Sequence, residues 1–315
     1  MIFDDDFFKE EVRYGFLITE KMKRIRAADL EVLRVIDDVC QRNGIEYFAD
    51  FGTLLGAVRH QGFIPWDDDM DLCMKRADFE AFFSLSDSEF PDGIVRRSRH
   101  QDPNNNNPMG AVLNTSDISF DSSHLERYHG CPYVIGADVF PLDNVADDDG
   151  LFEAHTFMYG QFYDATLRFD QIEANEGIDT YIPTLEALGG FGFDRSGSIK
   201  EQLVEMTAHI AALINDDECE NIAYLTDIIS GGEKRVLRKK SWYDKAVRLP
   251  FENMDIPVPV GFKDVLKMRF GEGFMTARPE SAAHDYPFYK KQDDFIDESF
   301  PGGLEITLRN PKGVD

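Results

Sequence analysis

The pattern of apolar and polar residues predicts that the first half of the chain forms a small mixed sheet with helices beside it. Between residues 27 and 43 the apolar residues recur at helical spacing, and Gly44 is suited to end the helix. Residues 51–60 predict a strand-to-helix turn followed by one or two helical turns, and residues 78–85 predict a short helix. The predicted strands are short apolar stretches bounded by turn residues: 45–49, 70–74, 93–99, 110–114, 118–121 and 133–140.

From Asp147 onward the apolar spacing becomes helical. Residues 150–169 and 198–214 predict two helices. Residues 247–260 predict a hairpin, and residues 261–270 predict a helix that ends at the following glycine.

The expected fold class is therefore α/β (α+β), a mixed sheet with flanking helices plus a helical and C-terminal accessory part. We expect an N-terminal extension over residues 1–26 and a core over residues 27–146. Residues 147–315 would then be an accessory region packed on that core.

The charge of the chain narrows the classes of function. Its 315 residues carry a formal net charge of −26, and the acidic residues are spread along the whole sequence. Proteins that bind nucleic acids need clustered lysines and arginines to displace counterions from phosphates, so this class is excluded. An acidic protein with an anionic substrate must recruit positive charge locally, and a divalent metal is the obvious source.

Other sequence features bear on where the protein acts. No apolar run approaches the ~20 residues of a membrane span, and the N-terminus lacks a signal-peptide pattern. The four cysteines are far apart, which favours reduced, buried thiols over a disulfide frame or a zinc site. We expect a cytoplasmic location, either free or peripheral at the inner membrane face. The basic run EKRVLRKK (233–240) could contact an anionic polymer or a membrane, but a solvated face is favoured.

The candidate chemistry lies in FGTLLGAVRHQGFIPWDDDMDL, residues 51–72. In a strand, Asp69 and Asp71 would project to one face, with Asp67 on the same side and Asp68 opposite. Neighbouring carboxylates repel each other unless a cation lies between them, and oxygen ligands suit Mg²⁺ or Mn²⁺. A solvated acidic turn is the alternative, and the carboxylate pattern alone does not exclude it.

The residues before the carboxylates favour a binding site. Gly52 lets the backbone approach a ligand, Thr53 offers a hydroxyl, and the helix that follows would present free N–H groups to an anion. Arg59 and His60 could reach phosphate oxygens. A surface ion pair for Arg59 and a capping role for His60 are the alternatives. Together these groups suit a nucleoside diphosphate with a metal.

GTLLGAVRHQGFIPWDDDMDL (52–72) closely resembles the signature of the LicD family, in the nucleotidyltransferase superfamily, which includes bacterial phosphocholine transferases. The resemblance continues in LRVIDDVCQRNGIEYFADF (33–51) and IGADVFPLDNV (135–145). It also includes a C-terminal part, so that about residues 27–145 and 240–290 are covered. The resemblance implies a nucleotidyltransferase-like core.

The resemblance implies roles for individual residues, according to the positions of the family motif that they match. Asp69 and Asp71 match the family's metal-binding pair, and Asp138 matches a third acidic position on a neighbouring strand. The resemblance also implies that Gly52 and Thr53 form the turn for the donor phosphates, and that Arg59 and His60 are the family's Arg-His pair. One departure concerns the strand GAVLN, where Ala111 and Leu113 stand in a region that is often basic in the family. This puts the inheritance of choline specificity in doubt.

The resemblance implies a metal-dependent transfer of a phospho-alcohol from a CDP-linked donor to a hydroxyl of a glycan, a teichoic-acid-like polymer or a lipid-linked saccharide. CDP-choline is the favoured donor, because aromatic rings near the motif suit a quaternary ammonium. Among these rings we assign Trp66 to the substrate site, and Tyr47, Phe48 and Phe51 to the core. The alternatives are transfer of ribitol or glycerol phosphate, and a non-catalytic relative that binds nucleotide or glycan.

Overall fold

The computed structural model describes residues 3–4, 6–175, 177–215, 219–232, 236–278 and 287–299. Helices and strands alternate through the first half, and helices dominate residues 149–211. The helices are Glu20–Asn43 (α1), Phe51–His60 (α2), Arg76–Ser84 (α3), Ser122–Arg127 (α4), Asp149–Leu167 (α5), Phe169–Asn175 (α6), Ile178–Gly189 (α7), Ile199–Ala211 (α8), Leu225–Asp227 (α9), Phe262–Phe270 (α10) and Lys290–Ser299 (α11). The strands are Glu11–Arg13 (β1), Phe16–Ile18 (β2), Phe48–Ala49 (β3), Asp71–Lys75 (β4), Val95–Arg97 (β5), Gly110–Leu113 (β6), Gly136–Val145 (β7), Asn221–Ala223 (β8), Arg238–Lys239 (β9), Ala246–Phe251 (β10) and Met254–Pro259 (β11).

Strand β7 is the centre of a mixed sheet, which confirms the expected fold class. The strand order is β3-β4-β7-β6-β5, and β8 and β9 extend the sheet from the second half of β7. Only the pairing of β4 with β7 is parallel; the other pairings in this sheet are antiparallel. Two separate hairpins, β1-β2 and β10-β11, complete the strand pairings among the described residues.

Helix α1 begins at Glu20, earlier than the predicted residue 27. The hydroxyl of Thr19 caps the helix by accepting a hydrogen bond from the backbone N–H of Met22. At the other end Gly44 adopts the left-handed conformation that was expected of it. The apolar pattern missed the first two turns because Lys21, Lys23 and Arg24 interrupt it. The expected boundary at residue 26 therefore lies within α1, and the division into domains stays a prediction.

Two predicted strands differ from the structure. Residues 45–49 contain only the two-residue strand β3, and residues 118–121 form no strand. Asp121 instead precedes α4 as its cap residue. Apolar residues flanked by turns satisfied the strand pattern in 118–121, but a strand also needs a partner with free backbone groups.

The buried apolar residues form two main clusters. The larger one joins α1 and the sheet to the β10-β11 hairpin and α10, including Phe251, Val258 and Leu266. The second lies among α5, α7 and α8, and it meets the sheet at Val145. The C-terminal hairpin and α10 therefore complete the core of the first half, which fixes their position relative to β4 and β7.

No helix in the described part of the chain combines the length and the apolar character that crossing a membrane requires.

A buried ion pair joins the beginning of α2 to β9. The guanidinium of Arg238 donates a hydrogen bond of 2.6 Å to the carboxylate of Asp50 and one of 2.9 Å to the hydroxyl of Tyr243. Arg238 is 1% exposed, so the expected solvated face is wrong for this residue of the basic run, while Lys239 is exposed. Residues 233–235 of the run lie outside the described residues. Asp50 caps α2, and the pair thereby holds the helix against the sheet.

We predict that Arg238→Met lowers the free energy of unfolding by about 3–5 kcal/mol, because Asp50 would remain buried without its counter-charge. Urea denaturation followed by circular dichroism measures the change. Lys239→Met, at the exposed neighbouring position, is the matched control and should change the value little. A loss of less than about 1 kcal/mol in Arg238→Met would contradict the importance of the pair.

Candidate active site

The parallel register of β4 and β7 brings two carboxylates together. Asp71 is paired directly with Asp138, and register partners on adjacent strands lie ~4.8 Å apart with their side chains on one face. Both residues line a cavity of about 890 Å³. A pocket of this size is ample for a small molecule such as a nucleotide conjugate.

A loop of three aspartates precedes β4. The residues Asp67, Asp68 and Asp69 each offer a carboxylate oxygen, and these oxygens lie within 4.8 Å of one another. Asp67 and Asp69 line the cavity. Asp68 is buried, and it accepts a hydrogen bond of 2.7 Å from the backbone N–H of Phe288. The loop thus adds Asp67 and Asp69 to the paired carboxylates, while Asp68 binds the backbone of Phe288.

Burial and the crowding of like charges raise the pKa values of carboxyl groups in this cavity. Burial, and then the negative charges of Asp69 and Asp138, raises the pKa of Asp71 well above its usual range. Burial and the neighbouring Asp69 raise the pKa of Asp67 to about 8. Carboxylates that resist ionisation for this reason ionise readily once a cation is bound among them. The donor set, made only of carboxylate oxygens, fits Mg²⁺ or Mn²⁺.

A further carboxyl lies behind the acidic loop. Asp29, on α1, is 2% exposed, and its Oδ2 has no hydrogen-bond partner among the residues that the structure describes. Burial, followed by the charges of Asp69 and Asp68, raises the pKa of Asp29. Sequence reasoning missed this residue because it lies within an apolar helical stripe.

The start of α2 forms the wall beside the carboxylates. Phe51 has a φ of 41°, which is uncommon for a residue other than glycine, and it lines the cavity. A Cβ on Gly52 would lie 2.3 Å from Oδ2 of Asp67, so only glycine leaves room for that carboxylate. Thr53 is buried, and its hydroxyl accepts a hydrogen bond of 2.8 Å from the N–H of Asp71. The structure therefore gives Thr53 a contact with β4, whereas the sequence suggested a contact with ligand phosphates.

Arg59 and His60 have different positions. Arg59 lines the cavity, and its guanidinium donates to the carbonyl of Phe274 at 3.0 Å and, through Nε, to Nε2 of His60 at 2.8 Å. Burial and the charge of Arg59 lower the pKa of His60 to about 4. His60 is therefore neutral at pH 7 and adds no positive charge beside Arg59. His60 is also not among the described residues that line the cavity, and it orients Arg59.

The aromatic residues of the motif divide between the cavity and the core. Trp66 lines the cavity, and its ring packs edge-on against His60 and Tyr14. Tyr47 and Phe48 are buried, as expected. The assignment of Phe51 to the core was wrong, because the strained turn directs it into the cavity.

Residues 269–278 supply positively charged side chains that the sequence analysis did not identify. Arg269, at the end of α10, and Arg278 line the same cavity as the carboxylates. The guanidinium of Arg269 lies 4.0 Å from the ring centre of Phe51 and forms an ion pair of 2.6 Å with Asp227. About two hundred residues separate these arginines from the acidic motif, so no local pattern links them to it.

Comparisons with known proteins agree with this geometry. A protein-family model described as LicD/FKTN/FKRP, nucleotidyltransferase domain, matches residues 44–129. Over these residues the chain is homologous to the LicD family. The lipopolysaccharide cholinephosphotransferase LicD of Haemophilus influenzae is 43% identical over 68 residues, which are 21% of this chain and 26% of that protein. Uncharacterised proteins of Rickettsia typhi and Rickettsia prowazekii are 38% and 37% identical over 76 residues, which are 22% of this chain and 25% and 29% of theirs.

The homology confirms the predicted resemblance over part of the site. The matched stretch spans about a quarter of the length of these curated relatives. The matched residues 44–129 include α2, Arg59 and the acidic loop, whereas Asp138 and Arg269 lie outside them. The resemblance of residues 240–290 stays a prediction, and residues 279–286 of it lie outside the described residues.

The raised pKa of Asp67 predicts how stability depends on pH. The pKa of this carboxyl rises from 3.8 to about 8 in the folded protein, so the folded state holds a proton that the unfolded state releases. Without metal, this contribution to stability is present below pH 4 and is lost as the pH rises to about 8. The melting temperature of Asp67→Asn should therefore exceed that of the wild type increasingly over this range.

Differential scanning fluorimetry in a chelating buffer measures this difference. Asp244→Asn, which changes an exposed carboxyl outside the cavity, is the control and should follow the wild type at every pH. Added Mn²⁺ should raise the melting temperature of the wild type more at pH 8 than at pH 5. A difference between Asp67→Asn and wild type that does not change with pH would contradict the prediction.

Proposed function

We propose that this protein transfers a phospho-alcohol from a CDP-linked donor to a hydroxyl group of a saccharide. The observation that carries the proposal is a single cavity with carboxylates on one wall and guanidiniums on another, built in part by residues homologous to the LicD family. Carboxylates suit a metal and guanidiniums suit a diphosphate. The location proposed for this activity is the cytoplasm or the inner membrane face, before the saccharide is exported.

The donor would lie between the two walls. Arg59, Arg269 and Arg278 can bind the diphosphate, and the positive charge they carry offsets part of the negative field of the acidic loop. The rings of Phe51 and Phe140, whose centres are 4.8 Å apart, offer an apolar surface for the base. Among the described residues, these groups are the ones best placed to hold a nucleotide.

A divalent metal would be held by Asp69 and Asp71, with Asp138 or Asp67 completing the set. When bound, Mg²⁺ or Mn²⁺ would supply positive charge to the diphosphate and to the departing CMP. Asp138 has two possible roles, as a ligand or as the acceptor of the hydroxyl proton. Its position beside Asp71 suits either role.

In the transfer step, the acceptor oxygen forms a bond to the phosphorus next to the alcohol. The bond from that phosphorus to the bridging oxygen breaks, and its electron pair leaves with CMP. The proton of the acceptor hydroxyl passes to a carboxylate, for which Asp138 is the candidate. The product is a phosphodiester on the saccharide.

Choline is the favoured alcohol. The Haemophilus relative is a cholinephosphotransferase by name, and the ring of Trp66 lines the cavity that contains the carboxylates. A quaternary ammonium, which cannot donate hydrogen bonds, binds to ring faces and nearby negative charge. Ribitol or glycerol phosphate is the alternative, because such polyols would use the same diphosphate and metal contacts.

We predict that Asp71→Asn lowers the rate of CMP release from CDP-choline by at least about 100-fold, because the charge that holds the metal is lost. The rate is measured with saturating Mn²⁺ and a saccharide acceptor, and Asp244→Asn should retain the wild-type rate. Wild-type activity in Asp71→Asn would refute the site. If CDP-choline with Mn²⁺ raises the melting temperature of the wild type but no donor releases CMP, the protein is a binding relative.

The donor preference is tested by comparing kcat/KM for CDP-choline, CDP-ribitol and CDP-glycerol with one acceptor. We expect CDP-choline to be the best donor. Trp66→Ala should lower kcat/KM for CDP-choline about tenfold and affect the polyol donors less, whereas Trp66→Phe keeps a ring face and most of the preference. A higher value for either polyol donor would overturn the choline assignment and leave the transferase assignment intact.

A further inference from the structure

A row of paired residues continues from the carboxylates across the sheet. Asp138 of β7 is paired with Ala111 of β6, and Ala111 is paired with Arg97 of β5. Paired residues project to the same face of a sheet. Arg97 therefore lies on the same face as Asp71 and Asp138, with its Cα ~10 Å from that of Asp138, or two strand spacings.

The two faces of these strands differ in exposure. On one face Val112, Ala137 and Val139 are buried in the core. On the other face Ala111 is half-buried and Arg97 is exposed. The strip from Ala111 to Arg97 is thus an accessible surface that begins beside Asp138.

This strip lies outside the cavity that would hold the donor. Among the described residues, the cavity is lined by residues of α2, β4, β7 and the segments 64–69 and 269–278, and none of them is from β5 or β6. In-line transfer requires the attacking oxygen to approach from the side opposite the leaving group. With CMP held by Arg59 and Arg269, β6 offers an approach to Asp138 from outside the donor cavity.

We propose that the acceptor saccharide lies across β6 and β5, and that Arg97 binds an anionic group on it, either a phosphate or a carboxylate. This inference rests on the proposed function. The small side chain of Ala111 leaves room for a sugar between Asp138 and Arg97. The guanidinium of Arg97 makes one long hydrogen bond of 3.4 Å, to the carbonyl of Ser116, and its other N–H groups can form a fork for an oxyanion.

Calorimetric titration without donor tests the proposal directly. The probes are galactose 6-phosphate, glucuronic acid and neutral galactose. We expect at least one charged sugar to bind more tightly than galactose to the wild type, and Arg97→Gln to weaken that binding by at least about tenfold. Arg97→Lys keeps the charge and should weaken it less. Whichever charged sugar binds more tightly identifies the phosphate or the carboxylate as the preferred group.

Arg127→Gln is the matched control, because Arg127 is also an exposed arginine that donates to a backbone carbonyl, that of Asp92. It should bind all three sugars like the wild type. The proposal is overturned if neither charged sugar binds the wild type more tightly than galactose, or if Arg97→Gln binds both as the wild type does.

Kinetics separate this inference from the proposed function. Slow CMP release from the donor in the absence of sugar, with water as acceptor, reports the transferase site alone and should be the same in Arg97→Gln. With the charged sugar as acceptor, Arg97→Gln should raise the KM for the sugar at least about tenfold and leave the KM for the donor unchanged. An equal rise in both KM values would contradict a role confined to the acceptor.

Discussion

The repulsion between Asp71 and Asp138 is the constraint on which the organisation of the site depends. The two residues are held side by side by the backbone register of β4 and β7, so they cannot relieve the repulsion by moving apart. Burial, followed by the charges of Asp69 and then Asp138, raises the pKa of Asp71. On the proposed function, such an arrangement weakens the isolated fold, and a bound cation would relieve the repulsion.

Two features of α2 keep this charged arrangement in place. The buried pair of Asp50 and Arg238 fixes the start of the helix, and the hydroxyl of Thr53 binds the first backbone N–H of β4. Asp50 is held by a buried arginine, whereas the register partner of Asp71 is another carboxylate, Asp138. A buried carboxylate with its own arginine is structural, whereas one that faces other carboxylates is available for a ligand. This distinction separates Asp50, which is buried, from Asp71, which is half-buried near the same helix.

Local sequence patterns predicted the elements that carry the carboxylates. Alternation in a short strand was enough to place Asp71, although Asp69 lies in the loop before that strand, and the apolar strand before Pro141 drew attention to Asp138. The patterns could not predict which strand would pair with which, and that pairing is what joins Asp138 to Asp71. They also could not predict that Arg269 would reach the site, because its position depends on how α10 packs on α2.

Sequence reasoning assigned some side chains to ligand contacts that the structure gives to protein contacts. Thr53 binds β4, and His60 accepts a hydrogen bond from Arg59. A motif states which residue types occur together, but it does not state whether a polar group faces the cavity or a neighbouring strand.

The region homologous to the LicD family and the region outside it each contribute residues to the site. The matched residues supply the acidic loop and α2, and residues beyond the match supply Asp138, Arg269 and Arg278. On the proposed function, the homologous part therefore holds the metal, while much of the donor contact comes from segments without a shown relative. The proposed acceptor surface lies within the matched region, since Ala111 and Arg97 belong to residues 44–129. On the proposed function, Trp66 of the matched part contacts the alcohol, whereas Arg269 and Arg278 beyond the match contact the diphosphate, so the homology alone does not determine the donor.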